Sequence, residues 1–96
     1  MYKLDEIMGI DQDYFGIISI GSPNVILKSR NTGHIWCIQD RELIYGKIRS
    51  IVVYHKHREE KEFHIQKGFH PVNLSQAQDL IKEHDKWCIE NRRKGK

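Results

Sequence analysis

His55-Lys56-His57 and His64 are the residues whose types and spacing could do the most chemistry. A His-x-His step on a strand points both imidazoles to one side. A third imidazole from the next strand would complete a nitrogen set that Zn²⁺ accepts, with Glu62 available as a fourth ligand. The same rings could meet phosphate or carboxylate groups. They could also serve a small ribonuclease as general acid and base, because histidine titrates near neutrality. The competing expectation is a solvated polar strand face with no chemical role. No C-x-x-C or H-E-x-x-H spacing is present, so no metal or cofactor is assigned. No catalytic residue is named either, and the reading leans away from an enzyme.

The elements that must position these rings follow from pattern. Leu4 to Ile10 suits one or two helical turns, and Tyr14 to Ile20 a buried strand ended by Gly21-Ser22-Pro23. Asn24 to Arg30 and His34 to Gln39 form a hairpin across Asn31-Thr32-Gly33, with Gly33 supplying the left-handed residue that such a loop needs. That register sets Arg30 opposite His34, Lys28 opposite Trp36 and Ile26 opposite Ile38. Val25, Leu27, Ser29, Ile35 and Cys37 then make the core face. Arg41 to Lys47 is a connector. Ile48 to His57 and Glu62 to Lys67 are strands joined by the charged loop Arg58-Glu59-Glu60-Lys61. This pairs His57 with Glu62, His55 with His64 and Val53 with Gln66, and turns Val52, Tyr54, Phe63 and Ile65 to the core. A slip of one residue would exchange the faces.

Ser75 and Gln78 form a capping-box pattern for a final helix from Gln76 to about Asn91. Ala77, Leu80, Ile81, His84, Trp87 and Cys88 recur on its apolar side, and Gln78, Asp79, Lys82, Glu83, Lys86 and Glu90 on its wet side. Arg92 and Arg93 suit its C-terminus, where the helix dipole favours cations. The expected fold class is α+β: an antiparallel meander of four to five strands packed in two layers on one long C-terminal helix.

Ninety-six residues fit one domain, 1–96, with a basic tail at 92–96. Apolar residues at 39% and charged residues at 30% are ordinary for a soluble globular chain. Asp5 and Glu6 interrupt any signal-peptide core, and no apolar run approaches a membrane span. The expected location is cytoplasmic, with Cys37 and Cys88 as reduced thiols.

If the helix covers the core face, the opposite face carries Lys28, Arg30, His34, Trp36, His55, His57 and His64. Cations and imidazoles can contact phosphates and Trp36 could stack on a base. The run Ile51 to Phe69 followed by a capped helix is similar in outline to the AP2-like arm-binding domains of recombinases, which lay a three-stranded sheet on DNA. That outline implies a DNA-contacting sheet face. The leading expectation is therefore a small non-enzymatic binding module that engages nucleic acid or a nucleoprotein complex. Its contact residues would be Lys28, Arg30, His34, Trp36, His55, His57 and His64, aided by Arg92 and Arg93. The alternatives are a protein inhibitor of the kind common on phages and mobile elements, a histidine metal site, and a small nuclease. A net charge of +3 permits an anionic partner without demanding one.

Overall fold

The computed structural model describes residues 2–21, 23–45, 48–57 and 60–94, the side chains of 42–45, 48–50 and 92–94 excepted. A short helix α1 (Leu4–Met8) precedes strands β1 (Phe15–Ile20), β2 (Asn24–Ser29), β3 (Ile35–Tyr45), β4 (Ile48–Lys56) and β5 (His64–Ile65), and the chain ends in helix α2 (Leu74–Lys94). The strands form one antiparallel sheet in the order β1-β2-β3-β4-β5. Each strand pairs with its sequence neighbour, so the sheet is a meander, and with α2 packed on one face it is the expected α+β two-layer fold.

Two expected elements change. The segment assigned to a connector continues β3 to Tyr45 and resumes in β4 at Ile48; Gly46 and Lys47 lie outside the described residues. The last strand shortens from Glu62–Lys67 to His64–Ile65. The run Ile51 to Phe69 thus adds part of β4 and a two-residue edge, not a separate three-stranded sheet.

The hairpin register differs by one residue, and this reverses the faces. Leu27 is opposite Trp36 and Val25 opposite Ile38. Ser29 N–H donates to the His34 carbonyl, and Gly33 N–H returns to the Ser29 carbonyl. The loop therefore holds Arg30, Asn31, Thr32 and Gly33; Gly33 takes the left-handed conformation at φ 78°. Counting Arg30 into the loop moves every β3 residue one step against β2. Trp36 now shares a face with Val25, Leu27 and Ser29, and its Nε1–H donates to Ser29 Oγ at 3.1 Å.

That shared face is the core. Phe15, Val25, Leu27, Trp36, Ile38, Ile51 and Val53 pack there against Leu74, Ala77 and Ile81 of α2. Ile35, Cys37, Val52, Tyr54, Phe63 and Ile65, expected inside, lie on the other face, half-buried or exposed. Trp87, expected in the core, is 61% exposed.

α2 begins two residues earlier than its capping pattern suggests. Asn73 Oδ1 accepts from Gln76 N–H at 2.7 Å, and Gln76 Oε1 accepts from Val72 N–H at 2.8 Å. Asn73 is the cap, and the acceptor pair is Asn73/Gln76 in place of Ser75/Gln78. Gln78 is buried and accepts from Asp11 N–H at 2.9 Å, which fastens the N-terminal segment across the helix. Lys82 adds an ion pair to Asp11 at 2.9 Å. Further along, buried Asp85 accepts the Tyr14 hydroxyl at 2.7 Å and the Thr32 hydroxyl at 3.1 Å. Asp85 thereby ties the hairpin loop to α2.

Candidate functional site

His55 is the centre of the site. In β4 it is opposite Trp36 of β3 and His64 of β5, so both neighbours share its face. Its ring stacks on the Trp36 indole at 4.1 Å between centroids. Four other imidazoles surround it: His34 at 4.9 Å, His57 at 5.0 Å, His64 at 5.4 Å and His84 of α2 at 5.4 Å. Only His70, of the chain's six histidines, has no part in these contacts.

Local structure explains the gathering. His55 and His57 are two residues apart on an extended segment and so face one way. His34 closes the hairpin loop opposite Ser29, one strand away. His84 arrives from the helix, edge-on to Trp36 at 5.4 Å. Phe69 lies parallel to the Trp36 indole, 6.0 Å away between centroids.

The polar geometry is specific. His55 Nε2 and His34 Nδ1 are 3.1 Å apart, so one ring donates and the other accepts. His34, His55 and His57 each offer a nitrogen, and the three lie within 4.8 Å of one another. His57 and His64 turn their Nδ1 atoms to the two oxygens of Glu60, at 3.4 and 3.5 Å. His84 Nδ1 faces Cys88 Sγ at 3.5 Å.

Burial sets the charge state. His55 is 2% exposed. Desolvation, with His34, His84, His57 and His64 crowding it in that order, lowers its pKa from 6.5 to about 3. His84 is also lowered, by burial first, although the neighbouring Asp85 carboxylate opposes this. Neutral imidazole is the form that binds metal.

Histidines and cations therefore do not form the single open surface expected. His34, Trp36 and His55 are buried under α2, and His57 and His64 are exposed at the rim of the same face. Trp36 is fully enclosed and has no face to offer a base. Lys28 is on the opposite face, because its β3 partner is Ile35. Arg30 joins it there: its guanidinium carbon is 4.0 Å from where a side chain on Gly16 would begin, and Gly16 pairs with Lys28. Arg92 and Arg93 lie in the last turn of α2; their side chains lie outside the described residues. Glu62 is not the carboxylate that meets the histidines; Glu60 is. The available signal was its place in the loop between the two strand ends that carry His57 and His64. His84 was legible on the apolar stripe, but its neighbours depend on the register.

No known family model matches the chain, and no curated protein or solved structure is significantly similar to it.

Proposed function

We propose that this chain is a small binding module for a divalent transition-metal ion, held by His34, His55 and His57. The observation that carries the reading is the convergence of three imidazole nitrogens within 4.8 Å. A tetrahedral ion with metal–nitrogen bonds of 2.0–2.1 Å needs ligand nitrogens about 3.4 Å apart. The His34–His55 pair is already at 3.1 Å, and ligation would shift the proton of that hydrogen bond to the donor ring's other nitrogen. His57 has to turn out of its stack on His34, at 4.4 Å between centroids, and as an exposed residue just past β4 it has room to do so. Its Nδ1 faces Glu60, which leaves Nε2 for the ion. A carboxylate behind a ligating imidazole is the usual orienting partner. An all-imidazole set favours zinc, copper(II) or nickel(II) over magnesium or calcium. Three protein ligands leave a fourth position for water or a further donor, and His64 and His84 each stand 5.4 Å from His55.

The test is titration of the chelator-treated protein with Zn²⁺ and with Co²⁺, whose visible spectrum reports its ligands. One ion per chain is expected, with His57→Gln weakening binding at least about tenfold, since loss of a group that merely orients a ligand already costs about that much. His57 is exposed, so this variant isolates ligation from folding. Failure of zinc, cobalt, copper(II) and nickel(II) all to bind, or unchanged binding by His57→Gln, overturns the reading.

A further inference from the structure

The geometry points to the face of the sheet opposite α2 as a docking surface for single-stranded nucleic acid. The register lines up two rows across the strands. Gly16, Lys28, Ile35 and Lys56 make the first row, over β1 to β4, with the Arg30 guanidinium lying against Gly16. Ser19, Ile26, Cys37, Tyr54 and Ile65 make the second, across all five strands. Arg41 donates from Nη2 to the Tyr54 hydroxyl at 2.9 Å, and Lys56 Nζ lies 4.9 Å from the centroid of the Phe63 ring. Four cations, Lys28, Arg30, Arg41 and Lys56, thus frame two aromatic rings, Tyr54 and Phe63. Among the described residues, neither row contains a carboxylate. Glu60 is turned to the histidine side.

Charge complementarity selects the occupant. Rows that carry positive charge and, among the described residues, no negative charge fit a phosphate backbone. Between the cations are Tyr54, Phe63 and the half-buried side chains of Ile26, Ile35 and Cys37. This floor accepts unstacked bases, since stacking on an aromatic ring tolerates any sequence. A duplex keeps its bases stacked and offers no free base faces to this floor. A second copy of the chain would meet like charges across a two-fold interface. Metal binding on the other face plays no part in the inference.

The experiment uses the full chain with a chelator present and follows anisotropy of labelled 20-mers of thymidine and of uridine, with a mixed-sequence duplex for comparison. Single strands are expected to bind at 50 mM salt. Lys28→Gln with Lys56→Gln should reduce the log–log salt slope by about 1.4, from roughly 0.7 per phosphate contact in single strands. Tyr54→Leu keeps an apolar side chain and should weaken binding at least about fivefold, as loss of one stacked base does. His57→Gln should leave affinity unchanged, which separates this surface from the histidine site. Circular dichroism and melting of each variant establish that the fold persists. The proposal fails if single strands do not bind at 50 mM salt, if duplex binds as tightly, or if the lysine pair leaves the slope unaltered. It fails equally if sedimentation shows the face closed in a dimer that Lys28→Gln with Lys56→Gln leaves intact.

Discussion

Ser29→Ala tests the register on which the histidine site depends. Ser29 and Trp36 are both fully buried, and the indole Nε1–H donates to Ser29 Oγ at 3.1 Å. The substitution removes the acceptor and leaves a buried donor unsatisfied, which costs about 1–3 kcal/mol. Taking about 2 kcal/mol, and 4–8 °C per kcal/mol for a domain of this size, Tm should fall by roughly 8–16 °C. Trp36→Phe removes the donor instead. In that background Ser29→Ala has no indole N–H to strand and should cost less than about 0.5 kcal/mol. The cycle should thus show a coupling of at least about 1 kcal/mol. Calorimetry or urea unfolding of the four proteins measures it. With a three-residue loop, Ser29 and Trp36 would face opposite sides of the sheet and the two substitutions would be additive. A Ser29→Ala cost below about 0.5 kcal/mol in the parent protein, or equal costs in both backgrounds, would refute the register and with it the placement of His34 beside His55.

Two further outcomes follow from buried titratable groups. The unfolded His55 imidazole takes up a proton near pH 6.5, whereas the folded one does so only near 3. The unfolded state therefore binds more protons between these values. The contribution of His55 to the stability of the metal-free protein is complete above about pH 6.5 and is lost as pH falls towards 3, at up to about 1.4 kcal/mol per pH unit. His34, His57, His64 and His84 all face this ring and Asp85 adjoins His84; urea unfolding at pH 7.5, 6 and 5 should show the decline, and a His55→Phe protein with the same slope would contradict the assignment. Beside Asp85 of α2, burial first and then that carboxylate raise the Tyr14 phenol well above its usual range. Ultraviolet titration should find absorbance still rising beyond the ordinary tyrosine transition near pH 10, and Tyr14→Phe should lower that late component by one tyrosine; a late component that Tyr14→Phe leaves unchanged would count against the buried Tyr14–Asp85 bond.

The meander and its single long helix were readable because length and punctuation separate the elements clearly. The β4–β5 register was readable too: His55 faces His64 as the charged loop implies. The β2–β3 register was not. Arg30 looks like the last residue of a strand, yet Ser29 and His34 close the hairpin and Arg30 enters the loop. One residue of loop length then decides which face Trp36 joins. Alternation could not correct this, because both residue sets of β4 contain apolar members: Ile51 and Val53 on one side, Val52 and Tyr54 on the other. The core-facing set also contains His55, which hydropathy ranks as a surface residue. What identifies it as interior is the Trp36 stack and the His34 hydrogen bond, both long-range in sequence. The helix start was misread for a related reason. Ser75 and Gln78 match a capping pattern, but Gln78 is taken by the Asp11 backbone, and Asn73 does the capping.

His55-Lys56-His57 can therefore be read twice along one strand. Period-two alternation sends the histidines towards α2 and Lys56 to the opposite face, beside Ile35 and above Phe63. The long helix α2 packs on one face of the five-stranded sheet and leaves the other face wet, and the half-buried apolar floor there is what a cation frame needs in order to hold bases as well as phosphates. The covered face excludes water from His55 and so keeps its imidazole neutral. The two proposed sites share β4 but no side chain. Their independence is a consequence of strand geometry: a substitution at Lys56 should alter only anion binding, and one at His57 only metal binding. Had the histidines and lysines shared a face, protonated imidazole would repel the ion and the lysines would add to that repulsion. Separation by the sheet is the arrangement in which three imidazoles can remain metal ligands in a chain that also presents a basic surface.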